Sequence, residues 1–422
     1  MFKAVAGYYK DNEQLRLLVK IIAVWLISRA VMLLMVPVMN LIADEPHQWL
    51  YYMNPWDAEW YKGIVENGYQ PPKSSGMASW AFFPLYPLVC MAVRLVTMGS
   101  IDTYAVGMTV SNICIIIAVY YAVKYADIEL DMKKYNKKTV EDIIIFLMLA
   151  GPFAVYYGAM YTEALFILCV ILCFYNSARH NYMAAGIAAA MASATRIVGC
   201  MLVFVLITYM FMETCAECRA KHNSEMKDNK EAGIIDKCML TEEAGILIAG
   251  NISLASVIRT FIKNVIKEPK KLVAIMISPL GIFIYMNYLR YFCGDSWAFY
   301  HVQRAWRTQK MFPVIGVLFK SCTGQLSAAS GVKTLNGIIL GWLCVITLML
   351  YAAMIRKKHY ALGIFGIIVL LIPLTSSVMS TLRFIMGSFV IYIGVAEIIA
   401  GCNRYVPVSY THLRAHETLR HL

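Results

Sequence analysis

The sequence predicts an all-α, polytopic membrane protein of about ten transmembrane helices, and three observations predict it. Of the 422 residues 60% are hydrophobic and only 15% charged, where a soluble domain carries roughly a quarter charged residues. The deficit is concentrated in apolar runs near the ~20 residues that cross a ~30 Å hydrocarbon layer. Most Lys and Arg are gathered into a few connecting stretches, as the cytoplasmic bias of membrane proteins requires. That bias also accounts for the net charge of +12 without invoking a nucleic-acid partner.

The apolar runs lie at about 18–42, 102–125, 143–158, 161–177, 182–212, 272–292, 335–355, 360–376 and 384–402. The stretch Lys10 to Lys20 is polar and basic, and the first run continues to about Ile42 without a small-residue cleavage site, so no cleavable signal peptide is expected. Two segments read either way. Residues 81–98 are apolar but interrupted by Pro84 and Pro87, and either cross or dip into the membrane. Residues 182–212 carry Thr195-Arg196 at their centre, and form one tilted span or a hairpin of two short ones. The basic stretches are the N-terminus, Lys133 to Lys138, Arg179-His180, Arg219 to Lys271 and Arg356 to His359. All fall on one side if 81–98 does not cross and 182–212 turns at Arg196. That solution gives ten crossings with both termini inside, and is preferred because the opposite choice puts Lys133 to Lys138 outside.

The expected organisation is one transmembrane domain over 1–407, with an outer loop at 43–80 and a cytoplasmic loop at 213–271. The second half of that loop is apolar and ends in Arg259, Lys263 and Lys267, which suits a helix lying at the interface. Asn251-Ile252-Ser253 matches a glycosylation acceptor, but on this topology it faces the cytoplasm. Cys215 and Cys218 form a lone C-x-x-C without the second pair a metal site requires. Val408 to Leu422 change character and hold three of the eight histidines. The string VSYTHLRAHET resembles a translated sequencing-adaptor tail, with a metal-binding tail as the alternative, and is set aside from the functional reading.

The loop 43–80 concentrates the chemistry. It holds Trp49, Trp56, Trp60 and Trp80, the tyrosines Tyr51, Tyr52, Tyr61 and Tyr69, and the acids Asp44, Glu45, Asp57, Glu59 and Glu66. An interfacial aromatic belt explains the rings but not the carboxylates between them. In Trp56-Asp57-Ala58-Glu59-Trp60 two acids sit beside large apolar surfaces at the membrane boundary, where a partly desolvated carboxylate is a candidate general base. Asp57 is the first choice and Glu59 the reserve. Three more ionisable residues, Glu163, Arg196 and Arg383, lie inside or at the ends of apolar runs, where each costs about 2.5–3.5 kcal/mol at a helix centre. Mutual pairing or snorkelling is the ordinary explanation. The preferred topology, however, puts all three on the outer side with Asp57. An acid for proton abstraction and arginines for a phosphate are what breaking a sugar–phosphate bond requires. A further outer segment, Gly294 to Arg307, offers Trp297, Gln303 and Trp306 for sugar contact and Arg304 or Arg307 for a lipid phosphate; an ordinary interfacial loop fits it as well.

These residues resemble a family. Trp56-Asp57-Ala58-Glu59, then Gly68-Tyr69, then Ala81 to Pro87 look like the first outer loop of PIG-V-type mannosyltransferases. Gly158 to Phe166 and Ala192 to Gly199 agree in order, Gly294 to Trp306 resembles prokaryotic members, and Arg383 falls at a late Ser-x-x-Arg pattern. The resemblance covers residues 20–402. It implies a GT-C type glycosyltransferase fold with an extracytoplasmic active site, in the cell membrane of a prokaryote or the endoplasmic reticulum membrane of a eukaryote. It implies a polyprenyl- or dolichyl-phosphate-mannose donor, a lipid or glycan acceptor, inversion at the anomeric carbon, and neither metal nor cofactor. It also implies an essential Trp56-Asp57 pair. The expected roles are then Asp57 as base, Arg196 and Arg383 on the donor phosphate, and Trp56, Trp60, Tyr69, Glu163, Trp297, Gln303 and Trp306 around the substrates. The competing expectation is a transporter or flippase for a lipid-linked sugar.

Overall fold

The computed structural model describes residues 12–42, 48–54, 56–72, 76–231, 253–305, 313–325, 334–375 and 381–402. Asp44, Glu45, Asn251, Trp306, Arg307 and the segment 408–422 lie outside them. Among the described residues the secondary structure is helical throughout. We number the helices α1 (Glu13–Ile42), α2 (Trp49–Met53), α3 (Asp57–Asn67), α4 (Leu85–Val96), α5 (Thr103–Glu129), α6 (Lys137–Leu149), α7 (Ala154–Gly158), α8 (Glu163–Ala178), α9 (Tyr182–Ser193) and α10 (Leu202–Glu231). They continue as α11 (Leu254–Lys267), α12 (Pro269–Ile277), α13 (Leu280–Cys293), α14 (Ala298–His301), α15 (Val314–Cys322), α16 (Thr334–Arg356), α17 (Tyr360–Leu374), α18 (Thr381–Gly387) and α19 (Val390–Cys402).

Among the described residues four helices are by themselves long and apolar enough to cross a membrane, and six spans result if α12–α13 and α18–α19, bent by 42° and 69°, each count as one. The expected spans near 272–292 and 384–402 are therefore broken, at 278–279 and 388–389. The run 143–158 is likewise divided between α6 and α7. The run 182–212 folds as a hairpin. The hydroxyl of Tyr182 at the start of α9 donates to Glu213 Oε2 on α10 at 2.8 Å, so the two helices run antiparallel about the turn at Thr195-Arg196. Gly199 makes that turn possible, since a Cβ there would stand 2.3 Å from the Ala192 backbone. Helix α9 is rich in Ala and carries Gly186, which lets neighbouring backbones close in; a Cβ on Gly281 of α13 would meet the Ala190 carbonyl at 2.3 Å.

The bundle has two chemically distinct ends. At one, Lys137 bridges Glu13 and Asp127 at 2.6 and 3.1 Å, Lys20 pairs with Asp142, and buried Lys271 holds Glu213 at 3.0 Å. The loop between α16 and α17 closes this end: His359 Nδ1 lies 2.8 Å from Glu129 Oε1, and Lys357 lies 3.1 Å from Glu397 Oε1. Tyr135 donates to the same Glu397 oxygen at 2.8 Å, and Tyr125 and Tyr209 to Glu129 Oε2 at 3.0 and 3.1 Å. At the opposite end Thr103 donates to Glu66 at 2.6 Å and Tyr52 to Asn40 at 2.6 Å. There the Leu85 amide also meets the Ala194 carbonyl at 3.1 Å. Helix α4 therefore enters and leaves at this second end. The core between the ends is apolar and includes the buried rings of Tyr125, Tyr157, Phe174, Phe389 and Tyr392.

His359 is the titratable element of the basic end. Burial pushes its imidazole down, but the hydrogen bonds to Glu129 and Glu397 outweigh burial and raise it to about 9. Its free histidine value is about 6.5, so its contribution to stability is complete below that pH and lost as pH rises through about 9. Thermal unfolding of the solubilised protein between about pH 6 and 9.5 checks this: the advantage of the native chain over His359→Gln is expected to shrink steadily as the pH rises.

Candidate active site

Four charged side chains from four separate elements meet at the second end. Asp57 and Glu163 open helices α3 and α8, and acids in a first turn sit where unsatisfied N–H groups favour negative charge. Arg196 stands at the break between α9 and the 3₁₀ turn Ile197–Met201, and Arg383 lies on short α18. Each is presented by an interruption in helical structure, which frees it from lining a continuous helix.

Together they form a linear ladder of alternating charge. Arg383 Nη1 donates to Asp57 Oδ2 at 2.7 Å, and Nε and Nη2 lie 2.7 Å from Glu163 Oε1. Arg196 Nη2 lies 2.5 Å from that same oxygen, and its Nε donates to Thr162 Oγ1 at 3.0 Å. Side-chain exposure grades from 0% at Glu163 through 15% at Arg196 and 21% at Arg383 to 33% at Asp57. The carboxylate that joins the arginines is sealed, whereas Asp57 reaches the surface. The guanidiniums are also held by rings: Arg383 lies over Tyr161 and Tyr156 at 5.3 and 5.7 Å, and Arg196 over Phe166 at 5.7 Å. The Asp57 amide donates to Tyr161 Oη at 3.2 Å, which fixes the start of α3 against the start of α8.

A guanidinium has five N–H donors. Arg383 commits Nε, Nη1 and Nη2 to the two acids and Arg196 commits Nε and Nη2, so each keeps N–H capacity that no described residue uses. Glu163 Oε2 is buried with no hydrogen-bond partner among the described residues. Trp56 precedes Asp57 with φ 51°, a left-handed conformation strained for a bulky residue, and its ring is 75% exposed. Among the described residues no three His, Cys, Asp or Glu side chains converge where a metal could sit.

The family comparison bears directly on this cluster. A model of the family described as Mannosyltransferase (PIG-V) matches residues 14–234, just over half of the chain. The chain belongs to the PIG-V mannosyltransferase family. The match includes Asp57, Glu163 and Arg196, while Arg383 lies beyond it. Comparison with curated proteins and with solved structures gave no match. With its apolar helices this PIG-V family member is a membrane protein of a mannosyltransferase class.

The other residues expected at the site are distributed around the ladder. Glu59 accepts a hydrogen bond from Tyr104 of α5 and has no described contact with the four charges. Trp60 stacks on Phe82 at 5.7 Å and 17°. Tyr69 donates to the Phe82 carbonyl at 2.7 Å and packs on Tyr285 and Tyr288, a framework position. Trp297 is exposed and Gln303 half-buried on a segment packed over residues 76–83; Trp306 lies outside the described residues. Asp295 on that segment is held below the usual carboxylate range by its hydrogen bond from His301 at 2.6 Å.

Sequence reasoning gave no role to Tyr156, Tyr161 and Thr162, although the last two immediately precede Glu163, and took Tyr61 only as one of the loop's tyrosines, whereas its hydroxyl lies 3.4 Å from Thr162 Oγ1. It also missed Arg29, a cation in the middle of the first apolar run. Arg29 donates to the Ala154 carbonyl at 2.8 Å and keeps Nε and Nη2 buried without partners among the described residues.

Removing one member of a buried ion pair strands the other, at about 3–5 kcal/mol. Glu163→Ala removes the acid two guanidiniums share, leaving Arg196 without a carboxylate and Arg383 with Asp57 alone, and is expected to lower stability by at least that much. Asp57→Ala removes a partly exposed partner and is expected to cost about 1.5–3 kcal/mol. Thermal unfolding of the two purified variants checks the order: a smaller loss in Glu163→Ala than in Asp57→Ala contradicts the ladder as the organising contact.

Proposed function

We propose that this protein transfers mannose, or a related hexose, from a polyprenyl- or dolichyl-phosphate sugar to a lipid or glycan hydroxyl with inversion, at an active site facing away from the cytoplasm. The observation that carries the reading is the ladder itself, an accessible carboxylate bound to the nearer of two arginines that a sealed acid joins, both with N–H groups to spare.

Asp57 removes the proton from the acceptor hydroxyl, which attacks the anomeric carbon opposite the departing phosphate. The transition state is oxocarbenium-like, and negative charge grows on the leaving lipid phosphate. Arg196 and Arg383 receive that charge as a preorganised electrostatic clamp. Binding and base strength are coupled in this scheme. A donor phosphate competes with Asp57 for Arg383 Nη1, so its arrival draws the guanidinium away and leaves the carboxylate free to accept a proton. Glu163 holds both arginines at one spacing. Trp56 and Trp60 flank Asp57 as surfaces for a sugar ring, with Trp297, Gln303 and Trp306 as outer substrate contacts and Glu59 as the reserve base.

The topology in this reading has ten crossings: α1, α5, α6–α7, α8, α9, α10, α12–α13, α16, α17 and α18–α19. It is supported by the segregation of contacts, since the basic connections share one end of the bundle and Asp57, Glu163, Arg196 and Arg383 the other. The positive-inside bias then sets the ladder outside. A GT-C type architecture over 1–407, with 43–80 as the catalytic loop and 213–271 as the cytoplasmic one, follows from the same reading. A passage for a lipid-linked sugar is the weaker alternative, because Tyr125, Tyr157, Phe174 and Phe389 fill the bundle between its ends.

Membranes incubated with radiolabelled polyprenyl-phosphate-mannose and candidate lipid acceptors test the proposal. Asp57→Ala is expected to reduce transfer by about 10²–10⁴-fold, the span of a lost general base, with membrane insertion unchanged. Transfer at the native rate by the folded variant rejects Asp57 as the base.

A further inference from the structure

Helix α11 divides into three faces of different chemistry. Val257, Phe261 and Val265 face the protein, with Phe261 set edge-on to Phe211 of α10 at 5.7 Å. Leu254, Ile258, Ile262 and Ile266 are 52%, 43%, 51% and 65% exposed. They recur every four residues, so they form one stripe slanting by about 40° per step around the helix. Arg259, Lys263 and Lys267 follow each of the last three by one position, and Lys270 extends the row at the start of α12; all four are exposed.

The charged row has no described carboxylate against it. Glu217 and Glu268, the acids on the packed side, are engaged by Asn264 at 2.9 Å and Lys271 at 2.8 Å. Four cations thus border an unpartnered apolar stripe at the end of the bundle that carries the other basic loops. A helix with such faces lies in the plane of a membrane interface, its apolar side among acyl chains and its basic side at headgroup level. The row of positive charge beside the stripe selects the occupant. Zwitterionic headgroups carry no net charge to complement it, whereas anionic phospholipids do.

We propose that the face formed by Leu254, Ile258, Ile262 and Ile266 with Arg259, Lys263, Lys267 and Lys270 is a binding surface for anionic phospholipid headgroups. The lipid phosphates contact the guanidinium and ammonium groups while the acyl chains cover the isoleucines. The surface is independent of the transfer chemistry, since none of its residues touches the ladder.

Native mass spectrometry of the purified full-length chain with equal amounts of phosphatidylglycerol and phosphatidylcholine tests this. The native protein is expected to retain phosphatidylglycerol preferentially. The variant Arg259→Gln/Lys263→Gln/Lys267→Gln/Lys270→Gln is expected to lose at least about tenfold of that preference, each charge near a surface accounting for about fivefold. Lys133→Gln/Lys134→Gln, which removes charge from another loop at the same end, is expected to leave the preference unchanged. If the fourfold variant fails to fold, Lys263→Gln and Lys267→Gln are read singly, each for about a fivefold loss. Equal retention of the two lipids by the native chain, an unchanged preference in the α11 variants, or an equal loss in the Lys133 and Lys134 control overturns the proposal.

Discussion

A single carboxylate oxygen organises this molecule. Glu163 Oε1 accepts from Arg383 and Arg196 together, at the start of a helix whose surroundings exclude water. An isolated charge at that depth carries a desolvation cost of several kcal/mol that attraction to one partner offsets only with good geometry. The chain meets this with alternation. Asp57, Arg383, Glu163 and Arg196 carry two charges of each sign in the order that puts every charge beside its opposite, so the group is neutral as a whole. The consequence is that the two inner members are the critical ones: without Glu163, Arg196 has no carboxylate, and without Arg383, Asp57 has no cation. Four elements far apart in sequence are thereby tied to one point.

That tie has to be built where helices are interrupted, which creates a second demand. Backbone between α6 and α8 leaves the helical ladder inside the bundle, where unsatisfied carbonyl and amide groups cost several kcal/mol each. The long helices supply the missing partners. Ser28 of α1 donates to the Leu149 carbonyl and Arg29 to Ala154. From α5, Asn112 donates to Gly158 at 3.2 Å and Ser111 to Tyr161 at 3.3 Å, while Asn54 accepts from the Met160 amide at 2.7 Å. The continuous helices act as a polar template for the broken segment that delivers Glu163. The same contacts account for Arg29, whose Nη1 serves a carbonyl instead of an acid. Gly158 leaves room for it, since a Cβ there would stand 2.7 Å from that nitrogen.

The ladder was legible in the sequence because charge inside an apolar run is conspicuous: Glu163, Arg196 and Arg383 stand out against hydrophobic neighbours, and Asp57 against tryptophans. The turn at Arg196 could be argued from the sidedness of the basic loops, and it appears as the hairpin of α9 and α10. Other features left no local trace. The bends within α12–α13 and α18–α19 interrupt runs whose apolar composition continues across them, and composition carries no direction. Glu129 and Glu397 escaped notice because each lies near the end of an apolar run, where an ionisable group reads as ordinary snorkelling, and His359 reads only as the end of a basic stretch; their partners are up to 262 positions away in the chain. The aromatic loop residues divided for a similar reason. Trp56, Trp60 and Tyr69 look alike in sequence, and only packing distinguishes Trp60 on Phe82 and Tyr69 on Tyr285 from the exposed Trp56.

The two ends of the bundle are mechanically linked through the element that carries Arg383. Helix α18 is too short to fix its own position, and α19 turns away from it by 69°. The orientation of α19 is set at the far end, where Glu397 is held by Lys357 at 3.1 Å and Tyr135 at 2.8 Å, with His359 close by. Tyr157 closes the intervening distance, contacting the Met386 carbonyl of α18 at 3.0 Å and Tyr392 Oη of α19 at 2.9 Å. The register that lets Arg383 reach both Asp57 and Glu163 is therefore fixed from three directions, two of them outside the ladder. A bent pair held at its distal end and its elbow presents one side chain with little freedom. Catalytic geometry on short elements requires that kind of support, because a loosely held guanidinium loses much of its value as a preorganised charge.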